Sequence, residues 1–423
     1  MIPEPLPIRR MDQIFDVISQ GESGPKDPDR LYVGLEHIEK GGGRFVSHLN
    51  PSESLSMHLR FEPGDILFGK LRPKLRKSIA VDFSGYCSTD LIVLRPKDGI
   101  APSFAHHLAR SDIVFHHAIS TSVGMGMPRT KWSQLSDLEV YCPNEETQCY
   151  IGGILDDSET VISTSKQLIG KLEMMQEGLL DDLLTYGIDE EGNLRSPETH
   201  DFVDSRIGSI PESWSVANLE NFLSRPPKNG YSPVEGDGSS GIGMLGLGCL
   251  TASGFQPNQI KKAPEWNDKF ESALLSDGDL LMSRSNTRAL VGLAGIYRDI
   301  GTACIYPDTM MKLEANDRTS NQFLEYLLRC EQVRRRIQNL SRGTSGSMKK
   351  INGNIVQNFL VAIPPLPEQI RITGRIQAID CRINLEAIFL EKYRKIKLGL
   401  MNDLLTGRVR VPTPAPDSVE VAA

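Results

Sequence analysis

No run in this chain approaches the roughly 20 consecutive apolar residues of a membrane span, so a helical membrane protein is excluded. Its seven cysteines never form a Cys-x-x-Cys pair, which speaks for reduced thiols and against a zinc ribbon or a disulfide framework. The opening Met1-Ile2-Pro3-Glu4-Pro5 lacks the basic and apolar regions of a secretory signal, and the expected location is the cytoplasm. Positive charge is in deficit: 47 Lys and Arg against 54 Asp and Glu leave a net −7. That balance counts mildly against nucleic acid as a partner, although local basic clusters outweigh the sum. What is present is an ordinary soluble composition, 39% apolar, over 423 residues, enough for more than one domain.

Catalytic signatures are missing as well. The nearest approach to a methyltransferase Asn-Pro-Pro-Tyr is Asn50-Pro51 followed by Ser52. Gly21-Glu22-Ser23-Gly24-Pro25-Lys26 lacks the spacing of a phosphate loop and the Ser or Thr after its lysine, so it reads as a surface turn. Pro307-Asp308 has no following Glu-x-Lys of a nuclease site. His106-His107 and His116-His117, with Asp112 one helical turn before His116, do not complete a set of three or four metal ligands, and read as solvent-facing helix histidines.

What the chain does have is a repeat. Residues 178–187 read Gly-Leu-Leu-Asp-Asp-Leu-Leu-Thr-Tyr-Gly, and residues 399–408 read Gly-Leu-Met-Asn-Asp-Leu-Leu-Thr-Gly-Arg, an offset of 221. Gln148 and Gln369, Ile151 and Ile372, Gly153 and Gly374, and Ile162 and Ile383 keep the same offset. Further upstream the copies still match, but the offset drifts. Tyr32-Val33-Gly34-Leu35 answers Met244-Leu245-Gly246-Leu247, Pro63-Gly64-Asp65-Ile66-Leu67 answers Asp277-Gly278-Asp279-Leu280-Leu281, and Ile2-Pro3-Glu4 answers Ile210-Pro211-Glu212. Drift marks loops of unequal length, where variable binding surfaces lie.

The segments of fixed offset are predicted helices. Ile151, Leu155, Ile162, Ile169, Leu172, Leu179 and Leu183 form one stripe, and Ile372, Ile376, Ile379, Ile383, Leu390, Tyr393, Leu400 and Leu404 the other. Pro367 and Glu368 suit a first helical turn, and Gly187 and Gly407 the far ends. Each helix would run for about 40 residues, or about 60 Å. Such helices outgrow their own domains, which favours a helix–helix pair with Ile151, Leu155, Ile162, Leu172 and Leu179 facing Ile372, Ile376, Ile383, Leu390 and Leu400. The globular parts mix β-like runs such as Ser78–Val81 and Leu91–Leu94 with helical ones over Phe104–Phe115 and Gln322–Leu340, which makes the fold α+β. The expected organisation is a first domain at 1–142, a helix at 143–187, a polar linker at 188–204, a second domain at 205–363, a second helix at 364–408 and a disordered tail at 409–423.

Basic loops recur at matching places. Lys70, Arg72, Lys74, Arg76 and Lys77 follow the Gly64-Asp65 turn, and Arg284, Asn286 and Arg288 follow Gly278-Asp279. Such groups neutralise phosphates, and Arg or Asn also pairs with base edges. A second loop pair precedes the helices: Ser122–Lys131, with Arg129 and Lys131, matches Ser341–Lys350, with Arg342, Thr344, Ser345, Lys349 and Lys350. Its glycines let backbone N–H groups approach a phosphate. The alternatives are a solvated basic loop and a flexible connector. Arg334-Arg335-Arg336 reads as a solvated helix face.

Pro364-Pro365-Leu366-Pro367-Glu368-Gln369, the helix after it and Asp403-Leu404-Leu405-Thr406-Gly407 resemble the distal helical region of type I restriction–modification specificity subunits. Gln148 through Asp182-Leu183-Leu184-Thr185 resembles the central helical region, and Ile210-Pro211-Glu212-Ser213-Trp214 the opening of a target-recognition domain. Departures are Pro143-Asn144-Glu145-Glu146 at the proline-rich turn, Tyr186 for glycine, and Leu6 where tryptophan is common. The resemblance implies a non-catalytic DNA reader. Its two target-recognition domains would each bind half of a split, asymmetric site in double-stranded DNA, separated by helices packed as an antiparallel coiled coil. It also implies two modification subunits as partners, with S-adenosylmethionine bound by them and no cofactor in this chain, and restriction/translocase subunits joining that core. Two other classes compete: a tandem scaffold recruiting partners through its coiled coil, suggested by the acidic charge, and a nuclease or methyltransferase in its own right.

Overall fold

The computed structural model describes residues 5–19, 21–23, 30–47, 49–50, 57–233, 241–342 and 348–411. The residues fall into two compact units: Met1–Gln167 with Ala387–Ala423, and Leu168–Glu386. The units do not follow the helix ends. The first long helix (Glu145–Thr185) and the second (Leu366–Leu404) each contribute one part to each unit.

In the first unit, an antiparallel sheet orders Phe15–Ile18, Leu91–Pro96, Ile66–Gly69 and Ser78–Ala80. The apolar runs read as strands are therefore strands, buried on the face that meets two helices. Those helices, Pro102–Ala109 and Asp112–Ser120, replace the single helix expected over Phe104–Phe115. Ser111 interrupts it by capping the second helix, its hydroxyl accepting from the Val114 N–H. Phe68 stacks on Phe115 at 4.8 Å, and the same core takes in Ile151 and Leu155 from the first long helix and Leu404 and Leu405 from the second. A second sheet pairs Tyr32–Val33 parallel to Gly85–Ser88.

The second unit repeats this plan. Lys228–Asn229, Met310–Leu313, Leu280–Ser283 and Ala294–Ile296 form its antiparallel sheet, and Gly243–Leu245 runs parallel to Cys304–Ile305. The helix expected over Gln322–Leu340 is again two, Asn321–Arg329 and Glu331–Leu340, broken at Cys330. Its core joins Leu180, Leu183 and Leu184 of the first long helix to Ile372 and Ile376 of the second.

Within each unit the helix segments run antiparallel. In the first, Ile151 and Leu155 share a core with Leu404 and Leu405, and Glu159 meets Lys397 at 3.1 Å. In the second, Gln176 donates to Asp380, and Leu180 to Leu184 share a core with Ile372 and Ile376. Glu159 and Asp380 stand 221 residues apart, as do Gln176 and Lys397, so one contact is built twice. The expected interface residues divide by position. Ile151, Leu155, Ile372, Ile376 and Leu390 are buried; Ile162, Leu172, Leu179, Ile383 and Leu400 are half-buried. The stripe keeps its three-and-four spacing, but its ends belong to domain cores.

The helix ends follow the sequence closely. Asn144 caps the first helix by accepting the Thr147 N–H at 3.0 Å. Gly187 and Gly407 both adopt left-handed φ, +68° and +69°, the conformation that terminates a helix at low cost only with glycine. The 188–204 linker is not loose: Ile188 is fully buried, and Arg195 pairs with the buried Glu368. Of the expected tail, residues 412–423 lie outside the described residues.

Candidate nucleic-acid interface

The two loops singled out in each copy prove to be one structure. In the first unit, Lys70–Arg72 lies beside Pro128–Thr130. The Thr130 N–H donates to the Lys70 carbonyl at 3.0 Å, and the Arg72 N–H to the Pro128 carbonyl at 2.7 Å. Arg129 pairs in turn with Val123 through two hydrogen bonds of 3.0 Å. The result is a three-stranded ribbon of loop backbone. In the second unit, Ser285 and Asn286 pair with Lys350 and Lys349, the Ile351 N–H donates to the Arg284 carbonyl at 2.9 Å, and Arg342 and Lys350 exchange hydrogen bonds of 2.9 and 2.8 Å. Thr130 and Ile351 stand 221 apart, Lys70 and Arg284 214 apart, so the same bonds recur bond for bond across the drift in loop length.

The ribbon sorts the basic residues. Arg72, Lys74, Arg129 and Lys131 are exposed on it, and Lys70 is half-buried at its root. Arg72 holds a left-handed φ of +51°, unusual for a residue with a side chain, so its backbone is held under local strain. Arg129 is steered by Asp90 at 3.2 Å. Asp90 carries no sequence signal, and its carbonyl also accepts the Lys70 N–H. Arg76 and Lys77 have internal partners instead. The Arg76 guanidinium pairs with Asp112 and lies over the Phe115 ring, and Lys77 Nζ donates to the Leu35 carbonyl at 2.8 Å. In the second unit Arg288, Arg342 and Lys350 are exposed, Lys349 is half-buried, and Arg284 reaches the Asp308 carbonyl at 3.1 Å. Asn286 is only 9% exposed; its Oδ1 accepts the Thr287 N–H and its Nδ2 donates to Ser283 Oγ at 3.5 Å, so the amide is turned to its own loop and not free for a base edge. Thr344 and Ser345 lie outside the described residues, as do Gly24, Pro25 and Lys26 of the presumed surface turn.

Residues read from sequence as solvent-facing are partly structural. His107 is fully buried, its Nε2 bonded to Asp156 at 2.8 Å. His106 beside it is pushed down to about 3, by burial first and by the Arg110 charge second. Of the arginine run, only Arg335 lies on an open face, paired with Glu331 at 2.5 Å. Arg334 donates to the Ala289 carbonyl; Arg336 donates to the Leu360 carbonyl and covers Phe359. Their helix packs on the domain, and that face is invisible in a local window.

No family model matches the chain. Individual relatives do. The chain is 26% identical to a Methanocaldococcus jannaschii protein described as a putative type I restriction enzyme MjaX specificity subunit, over 97% of this chain and 95% of the other. It is 26% identical to the MjaVIII specificity subunit of that organism, over 69% and 67%, and 23% identical to the EcoKI specificity subunit of Escherichia coli K12, over 70% and 61%. Over most of its length this chain is thus similar in sequence to proteins described as type I restriction enzyme specificity subunits.

Two solved structures share this fold. One, from work on complex assembly and conformational transition of the type I R-M system, has a TM-score of 0.59 at 19% identity, covering 96% of this chain and all of the other. The other, the type I S subunit of M. genitalium, has a TM-score of 0.56 at 14% identity, covering 96% and 98%. At Leu6, one of the positions where the sequence departs from the expected pattern, the structure offers a contact equivalent to one in the second unit. A Cβ on Gly187 would lie 2.8 Å from the Trp214 ring, and one on Gly407 would lie 2.8 Å from Leu6. Leu6 thus meets the helix-ending glycine of the first unit as the buried Trp214 meets that of the second, but it stays 40% exposed.

Proposed function

We propose that this chain is the DNA sequence-specificity subunit of a type I restriction–modification complex, a non-catalytic reader in which each unit recognises one half of a bipartite, asymmetric site. The carrying observation is the basic ribbon, assembled twice by the same hydrogen bonds on two α+β domains whose side chains differ. Equivalent frames with unlike tips suit two unlike half-sites. The ribbon cations position each domain on phosphates, and a few side chains that reach base edges set the sequence. The helix pair would serve as the spacer between half-sites and as the dock for two modification subunits, which bind S-adenosylmethionine; restriction/translocase subunits complete the assembly.

The test uses the complex assembled with its modification subunits. Reversing Lys70 and Arg129 to Glu should weaken binding to the cognate duplex by at least tenfold and lower the slope of log affinity against log salt by about 2. An unchanged slope would overturn the interface and favour a scaffold that only recruits partners.

A further inference from the structure

A cleft of about 450 Å³ opens inside the first unit, between the loop at residues 39–44 and the facing turns of the two long helices. Six cations line it: Lys40, Arg44, Arg110, Lys166, Arg394 and Lys397. Two acids oppose them, Glu39 and Glu159, and both are occupied. Arg44 holds Glu39 at 2.6 and 2.8 Å; Arg110 and Lys397 hold Glu159 at 3.0 and 3.1 Å. Lys40 and Lys166 have no ion-pair partner among the described residues, and Arg394 has only Glu391 at 3.6 Å. The Arg110 side chain is 8% exposed, and its Nε–H is buried without an acceptor. Burial, and after it the charge of Arg44, holds the Lys166 ammonium below the ordinary lysine range; burial and then Arg110 do the same to Lys397.

Cations crowded into a concave, partly desolvated space, with a buried donor left over, call for a counter-charge. The fold does not impose this arrangement. The corresponding cleft of the second unit, beside Asp380 where the first has Glu159, is lined by Glu173, Glu325 and Asp380 against Arg298 and Arg329. Nor is it a backbone nest: the N–H groups of Gly41, Gly42 and Gly43 all donate to carbonyls, of Leu75, Glu39 and Ser78. The glycines serve approach instead. All three have positive φ, and a Cβ on Gly43 would come within 2.4 Å of Arg110.

We propose that this cleft binds a compact oligophosphate, an anion with the charge and size of a triphosphate chain. Its volume falls among small-ligand sites, about 300–1,000 Å³. Six cations less two acids leave a lining charge of +4, which a triphosphate matches. Guanidinium forks and ammonium points are the donors that phosphate oxygens take. None of Lys70, Arg72, Lys74, Arg129 and Lys131 lines the cleft, and the proposal does not rest on the DNA-reading one.

Inorganic triphosphate titrated calorimetrically into the full chain at fixed ionic strength should bind once, saturably, and more tightly than sulfate. Lys166→Ala with Arg394→Ala should weaken it at least tenfold while the thermal unfolding midpoint without ligand stays put. Lys70→Ala on the ribbon should leave it unchanged. No saturation, equal affinity for sulfate, indifference to the cleft variants or loss in Lys70→Ala would each overturn the proposal. So would a short poly-glutamate peptide that displaces triphosphate at equal concentration, which would mark the cleft as a dock for an acidic protein segment.

Discussion

Gln148 and Gln369 do the same job 221 residues apart. Each is at most 1% exposed. The Gln148 Oε1 accepts the Ala101 N–H at 2.9 Å, just ahead of the helix Pro102–Ala109, and its Nε2 donates to the Pro143 carbonyl at 2.7 Å. The Gln369 Oε1 accepts Thr319 Oγ1 at 2.9 Å ahead of the helix Asn321–Arg329, and its Nε2 donates to the Pro364 carbonyl at 2.9 Å. One amide thereby ties a long helix to its domain. Gln369→Leu would leave several buried groups unpaired and should destabilise the protein by about 2–4 kcal/mol, read as a shift in urea midpoint; a loss below about 0.5 kcal/mol would contradict the role. His106 gives a pH signature. Its folded value of about 3 lies below the free 6.5, so the unfolded chain takes up a proton that the folded chain refuses. Stability is therefore full above about 6.5 and falls as pH drops toward 3. Glu159, held down to about 2 by Arg110 and Lys397 against its burial, contributes above 4.5 and is lost only between 4.5 and 2. Between pH 7 and 5 the adjacent histidines dominate, because burial lowers His107 as well, and His106→Asn should remove about 1–2 kcal/mol of the loss over that range, measured by chemical denaturation at each pH. The sequence shows the two glutamines through their shared offset. It hides the burial of His107, because the partner Asp156 lies 49 residues away on another element.

At the scale of elements, what was legible had a period. Stripes three and four residues apart, a fixed offset and terminal glycines placed both long helices to within a few residues of Glu145–Thr185 and Leu366–Leu404. The breaks at Ser111 and Cys330 carry no glycine or proline, so the expected helices ran straight through them. The ribbons were legible only in pieces: each half is a basic loop in sequence, and the bonds that stitch them join residues about 60 positions apart, such as Lys70 and Thr130. Gln167 closes the share of the first helix that belongs to the first unit. Four residues inserted there lengthen that helix by about 6 Å and turn the stripe beyond it by only about 40°, so the change is mainly one of length. The expected outcome is a changed gap between half-sites or a failure to assemble, read from methylation mapping and size-exclusion of the complex. Unchanged target choice with unchanged binding would remove the helices from any spacing role.

For the whole molecule, the reading requires that methylated sites mapped in host DNA consist of two short specified runs with an unspecified gap. One uninterrupted run of specified bases would refute it. Exchanging Leu280–Lys350 for the matching segment of a relative should change one run and leave the other and the gap as they were.

The first unit is assembled from both ends of the chain, with Leu404 and Leu405 in its core and Gly407 against Leu6, whereas Leu168–Glu386 is continuous. During synthesis the order of completion is therefore inverted: the part translated first waits for the end of the second long helix, while the part between closes as soon as it emerges. A released chain truncated after Glu386 should carry a protease-resistant second domain beside an unfinished first one.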